Sequence, residues 1–145
     1  MKIVLASDHA GFDLKSHVKD YLTKKGYQIE DFGAYEYNSN DDYPDFILPA
    51  AHVVGSSKNT FGIIFGGSGQ GEAMAANRVK GVRAVVYYDG PKKIVELSRM
   101  HNDANILSLG ARFISKEKAI DVIDLWLKTP FDGERHLQRI NKLDQ

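Results

Sequence analysis

Residues 61–81, FGIIFGGSGQGEAMAANRVKG, join a glycine-rich loop to a carboxylate at the start of the following helix. Gly66, Gly67, Gly69 and Gly71 let the backbone come close to a ligand. A helix opening there points free N–H groups and a partial positive charge at the same spot. Such a loop stabilises an anion, either a bound phosphate or a charge that develops during reaction. The lysine of a nucleotide P-loop is missing, and glycines spaced two apart match G-x-G-x-x-G poorly, so neither a triphosphate nor a dinucleotide fits well. Glu72 stands where that lysine would be expected. A first-turn glutamate can simply favour the helix dipole. Beside an anion cradle it can also be a general base: an enolate needs a base for the proton next to a carbonyl and N–H donors for the oxygen that turns negative.

Other residues suited to chemistry are spread along the chain. Asp8-His9 follows the first apolar run and reads either as a satisfied structural pair or as part of a site. His101 and Asn102, in HNDAN, are by type equally compatible with a surface or a catalytic role. In ERHLQRI and the residues after it, Arg135, Arg139 and Lys142 share a helical face, which is either an ordinary solvated face or a guanidinium clamp for phosphate. No two histidines have helical metal-ligand spacing and there is no HExxH, so no metal and no cofactor are expected. Cysteine is absent, which excludes disulfides and thiolate chemistry.

Short apolar, β-rich runs must position these groups: 2–7, 27–33, 61–67, 82–88 and 104–110. Uninterrupted stretches such as IVLA and GIIF suit strands buried on both faces. Helices are predicted over 11–26, 44–55 (with a kink or reset at Pro49), 70–79, 91–100, 116–128 and 134–144. Alternating strands and helices predict an α/β fold, a three-layer αβα sandwich on a five-stranded, mainly parallel sheet with right-handed crossovers. In such sheets ligands bind beyond the carboxyl ends of the strands. The loops there are SDHAGF (7–12), DDYP (41–44), GGSGQGE (66–72), YDGP (88–91) and GARF (110–113).

The 145 residues suit a single domain, with TPFDGE (129–134) as a hinge before a last helix that packs on its own core or reaches a neighbour. Nineteen basic and nineteen acidic side chains balance, without the basic stripe that nucleic acid or a membrane surface would call for. The opening MKIVLAS reads as a strand rather than a leader, so a cytoplasmic protein is expected.

SDHAGF, DYPDF, GGSGQGEAMAANRVKGVRA, RMHNDANILSLGAR and GERHLQRI, in that order, resemble the type-B ribose-5-phosphate isomerases and their galactose- and allose-phosphate relatives. The resemblance runs nearly end to end. It implies a Rossmann-like dimer or tetramer with its active site at the subunit interface, interconverting ribose 5-phosphate and ribulose 5-phosphate through an enediolate without a metal. By position, it makes Glu72 the base, with the amides of Gly67, Gly69, Gln70 and Gly71 holding the enediolate and Ser68 assisting. His101 opens the furanose ring with Asp8 as partner, while Tyr43 and Asn102 contact sugar hydroxyls. His9, Arg112, Arg135 and Arg139 bind phosphate, and His101, Asn102 and Arg112 come from the neighbouring subunit. His136 lies close by without an assigned role.

Many members of that family carry a cysteine base where this chain has Gly66, and a second branch carries the glutamate of G-G-S-G-x-G-E. This sequence resembles the second branch. Glu72 is expected to have its pKa raised by a partly dry pocket, against the helix dipole, and Gly66 to widen the pocket beside the loop. Two alternatives share the pattern: a hexose 6-phosphate isomerase of the same mechanism and a non-catalytic sugar-phosphate-binding paralogue. A receiver-type signalling domain is excluded, since the first strand leads into Asp8-His9 rather than an acidic pair and the fifth into Arg112 rather than a lysine.

Overall fold

The computed structural model describes residues 1–144. Strands β1 (Lys2–Ser7), β2 (Gln28–Asp31), β3 (Thr60–Gly66), β4 (Ala84–Tyr87) and β5 (Ile106–Gly110) alternate with helices α1 (Phe12–Lys24), α2 (Pro44–Gly55), α3 (Gln70–Ala76), α4 (Lys93–Asn102), α5 (Lys116–Lys128) and α6 (Arg135–Ile140). All four strand pairings are parallel, in the order β2-β1-β3-β5-β4. The expected α/β sandwich is therefore present.

Side chains alternate across the sheet, as a period of two requires. Ile3, Leu5, Ile63 and Phe65 meet Val18 of α1 and Trp126 of α5, whereas Val4, Ala6 and Ile64 meet Ile47 and Val54 of α2. Both faces are covered, which explains the uninterrupted apolar strands. Ser115 caps α5 by accepting from the Lys118 N–H at 3.1 Å.

Most boundaries shift by one or two residues, and three helices depart further from the sequence reading. Helix α2 runs through Pro49 without a break. Helix α3 stops at Ala76, followed by 3₁₀-type bonds from Arg78 N to Ala75 O and Val79 N to Ala76 O. Helix α6 is six residues long, and bonds from Lys142 N to Arg139 O and Leu143 N to Ile140 O tighten the chain beyond it. Among the described residues, no helix is long and apolar enough to cross a membrane.

Strand order decides what the loops can build. The chain moves from β1 outward to β2 and returns to add β3 on the other side of β1, so the loops after β1 and β3 part and leave a crevice between them. Strand β5, not β4, lies next to β3, with Gly66 level with Gly110 and Ser7 level with Phe65. Three strand ends thus reach one rim together.

Candidate active site

At that rim, Asp8 leaves β1 and caps the 3₁₀ turn His9–Gly11, its Oδ1 accepting from the N–H groups of Ala10 at 3.0 Å and Gly11 at 3.3 Å. Asp8 is buried, and His9 beside it is half-buried. The His9 N–H donates to Asp41 Oδ1 at 3.1 Å, and its Nδ1 faces the same oxygen at 2.6 Å.

Beyond β3 the glycine loop turns at Gly69, whose φ of +79° is costly for any residue with a Cβ. Its carbonyl accepts from Ser108 Oγ at 2.7 Å and from the Ala73 N–H at 3.1 Å. With that oxygen held by β5 and α3, the N–H of the same peptide, at Gln70, points the other way and has Ser68 Oγ as a distant partner at 3.3 Å. The Gln70 N–H is thereby turned to the side of the loop away from β5 and α3.

Glu72 is buried in the first turn of α3, at 5% exposure. Its carboxyl group occupies the space where a side chain at residue 66 would lie: a Cβ on Gly66 would overlap both carboxylate oxygens. Gly66 therefore does not widen the pocket, because Glu72 fills the room. Burial pushes the Glu72 carboxyl above the usual glutamate range, its own N–H pulls the other way, and the charge of Asp8 adds to the rise. Tyr43 and Arg112 close the loop from either side. The Tyr43 hydroxyl lies 2.8 Å from where a Cβ on Gly71 would sit, and Arg112 Nη1 lies 3.0 Å from the corresponding point on Gly67. Backbone bonds from Ala111 N to Gly66 O at 2.8 Å and Arg112 N to Gly67 O at 3.1 Å tie the β5 loop to the glycine loop.

The remaining candidates lie elsewhere. His101 and Asn102 form the end of α4, which runs back to the opposite edge of the sheet before β5 begins. There the imidazoles of His101 and His136 stack at 4.3 Å with planes 13° apart. The hinge before α6 is pinned by Asp132 N donating to Met100 O at 3.0 Å. Arg135 and Arg139 extend from α6 into solvent. Burial, then the neighbouring charges of His101, Arg135 and Arg139, hold the His136 imidazole below its usual range. Five residues of β5 separate the two edges, roughly 16 Å at about 3.3 Å per residue. One chain thus brings Asp8, His9, Tyr43, Gly67, Ser68, Gly69, Gln70, Gly71, Glu72 and Arg112 to one rim. His101, Asn102, Arg135, His136 and Arg139 stand at the other.

Among the described residues, two groups have potential metal donors within 4.8 Å of one another: His101, Asp132 and His136, and Asp8, His9 and Asp41. In the first the imidazoles lie face to face, so their in-plane lone pairs run side by side rather than converge. In the second, His9 Nδ1 and Asp41 Oδ1 are engaged with each other. Asp41 and Ser108 are contacts that sequence reading passed over. DDYP drew attention only through Tyr43, and a serine inside an apolar strand carries no local signal.

Residues 3–143 match the model of the Ribose/Galactose Isomerase family. The chain is 40% identical over 141 residues to a probable ribose-5-phosphate isomerase B of Mycoplasma pneumoniae, covering 97% of this chain and 91% of that protein. It is 38% identical over 144 residues to ribose-5-phosphate isomerase B of Mycolicibacterium paratuberculosis, covering 99% and 89% of the two chains. Its structure resembles ribose-5-phosphate isomerase B of Mycoplasma genitalium with bound ribulose-5-phosphate, with a TM-score of 0.93 and 40% identity over 98% of this chain and 93% of that one. An end-to-end match at this identity, on the same fold, carries one conclusion: this chain belongs to the ribose/galactose isomerase family.

Proposed function

We propose that this protein interconverts ribose 5-phosphate and ribulose 5-phosphate, with Glu72 as the base. The observation that carries the reading is the buried Glu72 carboxyl folded against Gly66 of the glycine loop, in a chain whose relatives are ribose-5-phosphate isomerases B. In the open-chain aldose, Glu72 takes the proton from C2, and the electron pair moves onto the carbonyl oxygen at C1. The amides of Gly67 to Gly71, with Ser68, hold the resulting enediolate. Glu72 then returns the proton to C1, while a proton passes from O2 to O1, leaving the ketose. A carboxylate becomes neutral as it accepts the proton, so its charge and that of the enediolate never coexist. Its raised pKa narrows the gap to the carbon acid it must deprotonate.

Ring opening by His101, hydroxyl contacts from Tyr43 and Asn102, and phosphate binding by His9, Arg112, Arg135 and Arg139 complete the reading. The roughly 16 Å between the two groups supports a dimer in which a second copy lays its His101 edge over the Glu72 rim. An isologous pair makes two such sites. The free edge of β4 supports it too: half-buried Val85 and Val86 line an apolar groove with Ile94 and Leu97, the kind of edge that soluble proteins cover. Arg112, which lies beside Gly67 of its own chain, then serves the site from within that chain. A cytoplasmic single-domain enzyme of pentose phosphate metabolism fits the whole.

The test is isotope exchange in deuterated water with ribose 5-phosphate. Wild type is expected to form ribulose 5-phosphate and admit deuterium at C2. Glu72→Gln is expected to bind the sugar phosphate while losing both activities by about 10²–10⁴-fold. Full activity in the variant would remove Glu72 from the chemistry, and an inert wild type would reject the substrate.

A further inference from the structure

The segment between β2 and α2 holds His9 from two directions. Asp41 Oδ1 accepts from the His9 N–H at 3.1 Å and faces its Nδ1 at 2.6 Å. Tyr37 meets the imidazole edge-on, with centroids 5.9 Å apart and planes at 86°. The Asp41 side chain is only 8% exposed, and its Oδ2 is buried without a hydrogen-bond partner. A buried carboxylate is costly unless donors compensate it, so the His9 ring and N–H are what keep this one in place.

The chemistry of that pair has one consistent arrangement. A carboxylate has no proton to offer, so Nδ1 carries the proton and donates. Nε2, on the opposite edge of the ring, is left for another partner. A flip of the ring would break the Asp41 bond, so the orientation is held as well as the tautomer.

We propose that Asp41 is a positioning residue, which fixes the tautomer and direction of His9 so that Nε2 is the nitrogen presented to the phosphate of the substrate. The assignment to phosphate rests on the isomerase reading above; the Asp41–His9 arrangement does not. A phosphate that carries one proton brings the donor for that contact: its P–OH donates to the Nε2 lone pair while Nδ1–H stays on Asp41. Without Asp41 the ring is free to turn and to carry its proton on Nε2, the usual preference of a neutral imidazole.

Two measurements on full-length protein test this. Nitrogen-15 NMR of the histidines should show His9 protonated at Nδ1 in wild type and shifted toward the Nε2-protonated form in Asp41→Ala. Steady-state kinetics should show KM for ribose 5-phosphate rising about tenfold in Asp41→Ala with kcat changed less than about threefold, the scale expected for loss of a charged hydrogen bond. Asp41→Asn keeps an acceptor oxygen and should rescue part of both effects. A wild-type tautomer and KM in Asp41→Ala would overturn the proposal. So would equal losses of kcat in both variants at unchanged KM. Failure of wild type to turn over ribose 5-phosphate would instead fall on the isomerase reading, leaving NMR to decide the arrangement.

Discussion

Glu72 and Gly66 occupy one volume between them, and each explains the other. A side chain at 66 and a carboxyl group folded back from 72 cannot coexist, so the loop has room for one reactive group near that point. Gly66→Ala should leave the fold intact, because the clash falls on the end of a side chain, but should push Glu72 off its position. We expect kcat to fall about 10²-fold with little change in circular dichroism, the usual scale for a catalytic group moved by about 1 Å. The raised pKa of Glu72 has its own consequences. A carboxyl whose folded pKa exceeds the unfolded value favours the fold at pH below the unfolded pKa, and that contribution is lost as pH rises through the folded pKa. Above this range the ionised base is held at a cost in stability. Glu72→Gln should therefore melt about 2–4 °C higher than wild type at neutral pH while being inactive, and the difference should shrink as pH is lowered through the folded pKa. Activity should be lost over the same acid range, centred above the ordinary glutamate value of about 4.3.

At the scale of elements, the glycine loop is organised by a strand distant in sequence. Ser108 Oγ holds Gly69 O at 2.7 Å, and the β5 loop bonds Gly66 O and Gly67 O, so the loop is suspended between α3 and β5. Ser108→Ala should lower stability by about 1 kcal/mol in urea unfolding, the net worth of a typical hydrogen bond. It should also lower kcat more than it raises KM, because the loop's donors matter most when the enediolate forms. Undiminished kcat would mean that α3 alone holds the loop. The strands and helices themselves were legible. Apolar runs and capping residues marked them, and the errors fell where chain propensity is weakly opposed: at the end of α3, at Pro49 and at the last helix. A proline on the exposed side of α2 forgoes one hydrogen bond while Ile47, Ala50, Ala51 and Val54 still bury their face, so packing overrides the local signal.

At the scale of the whole molecule, the candidate residues fall at two opposite edges of one sheet, and a site using both needs two chains. Mixing inactive Glu72→Gln and His101→Ala subunits tests that directly. In the dimer proposed above, each mixed pair would have one site with both defects and one with neither, so random reassortment should restore about a quarter of wild-type activity. Zero recovery after demonstrated subunit exchange would place both residues in a single-chain site or remove one from the reaction.

The sequence by itself determined the α/β class, the helix and strand inventory, the glycine loop with its glutamate, and the family resemblance, because each is written in local spacing or in a short run of residues. It could not determine that β5 lies between β3 and β4, since nothing local to either strand names its neighbour. That order brings Arg112 and Ser108 to the glycine loop. Nor could it determine that His101 and Glu72, only 29 positions apart, lie at opposite ends of the strands. These are outcomes of long-range packing: which apolar faces bury each other most completely sets strand order, and strand order sets which loops share a rim.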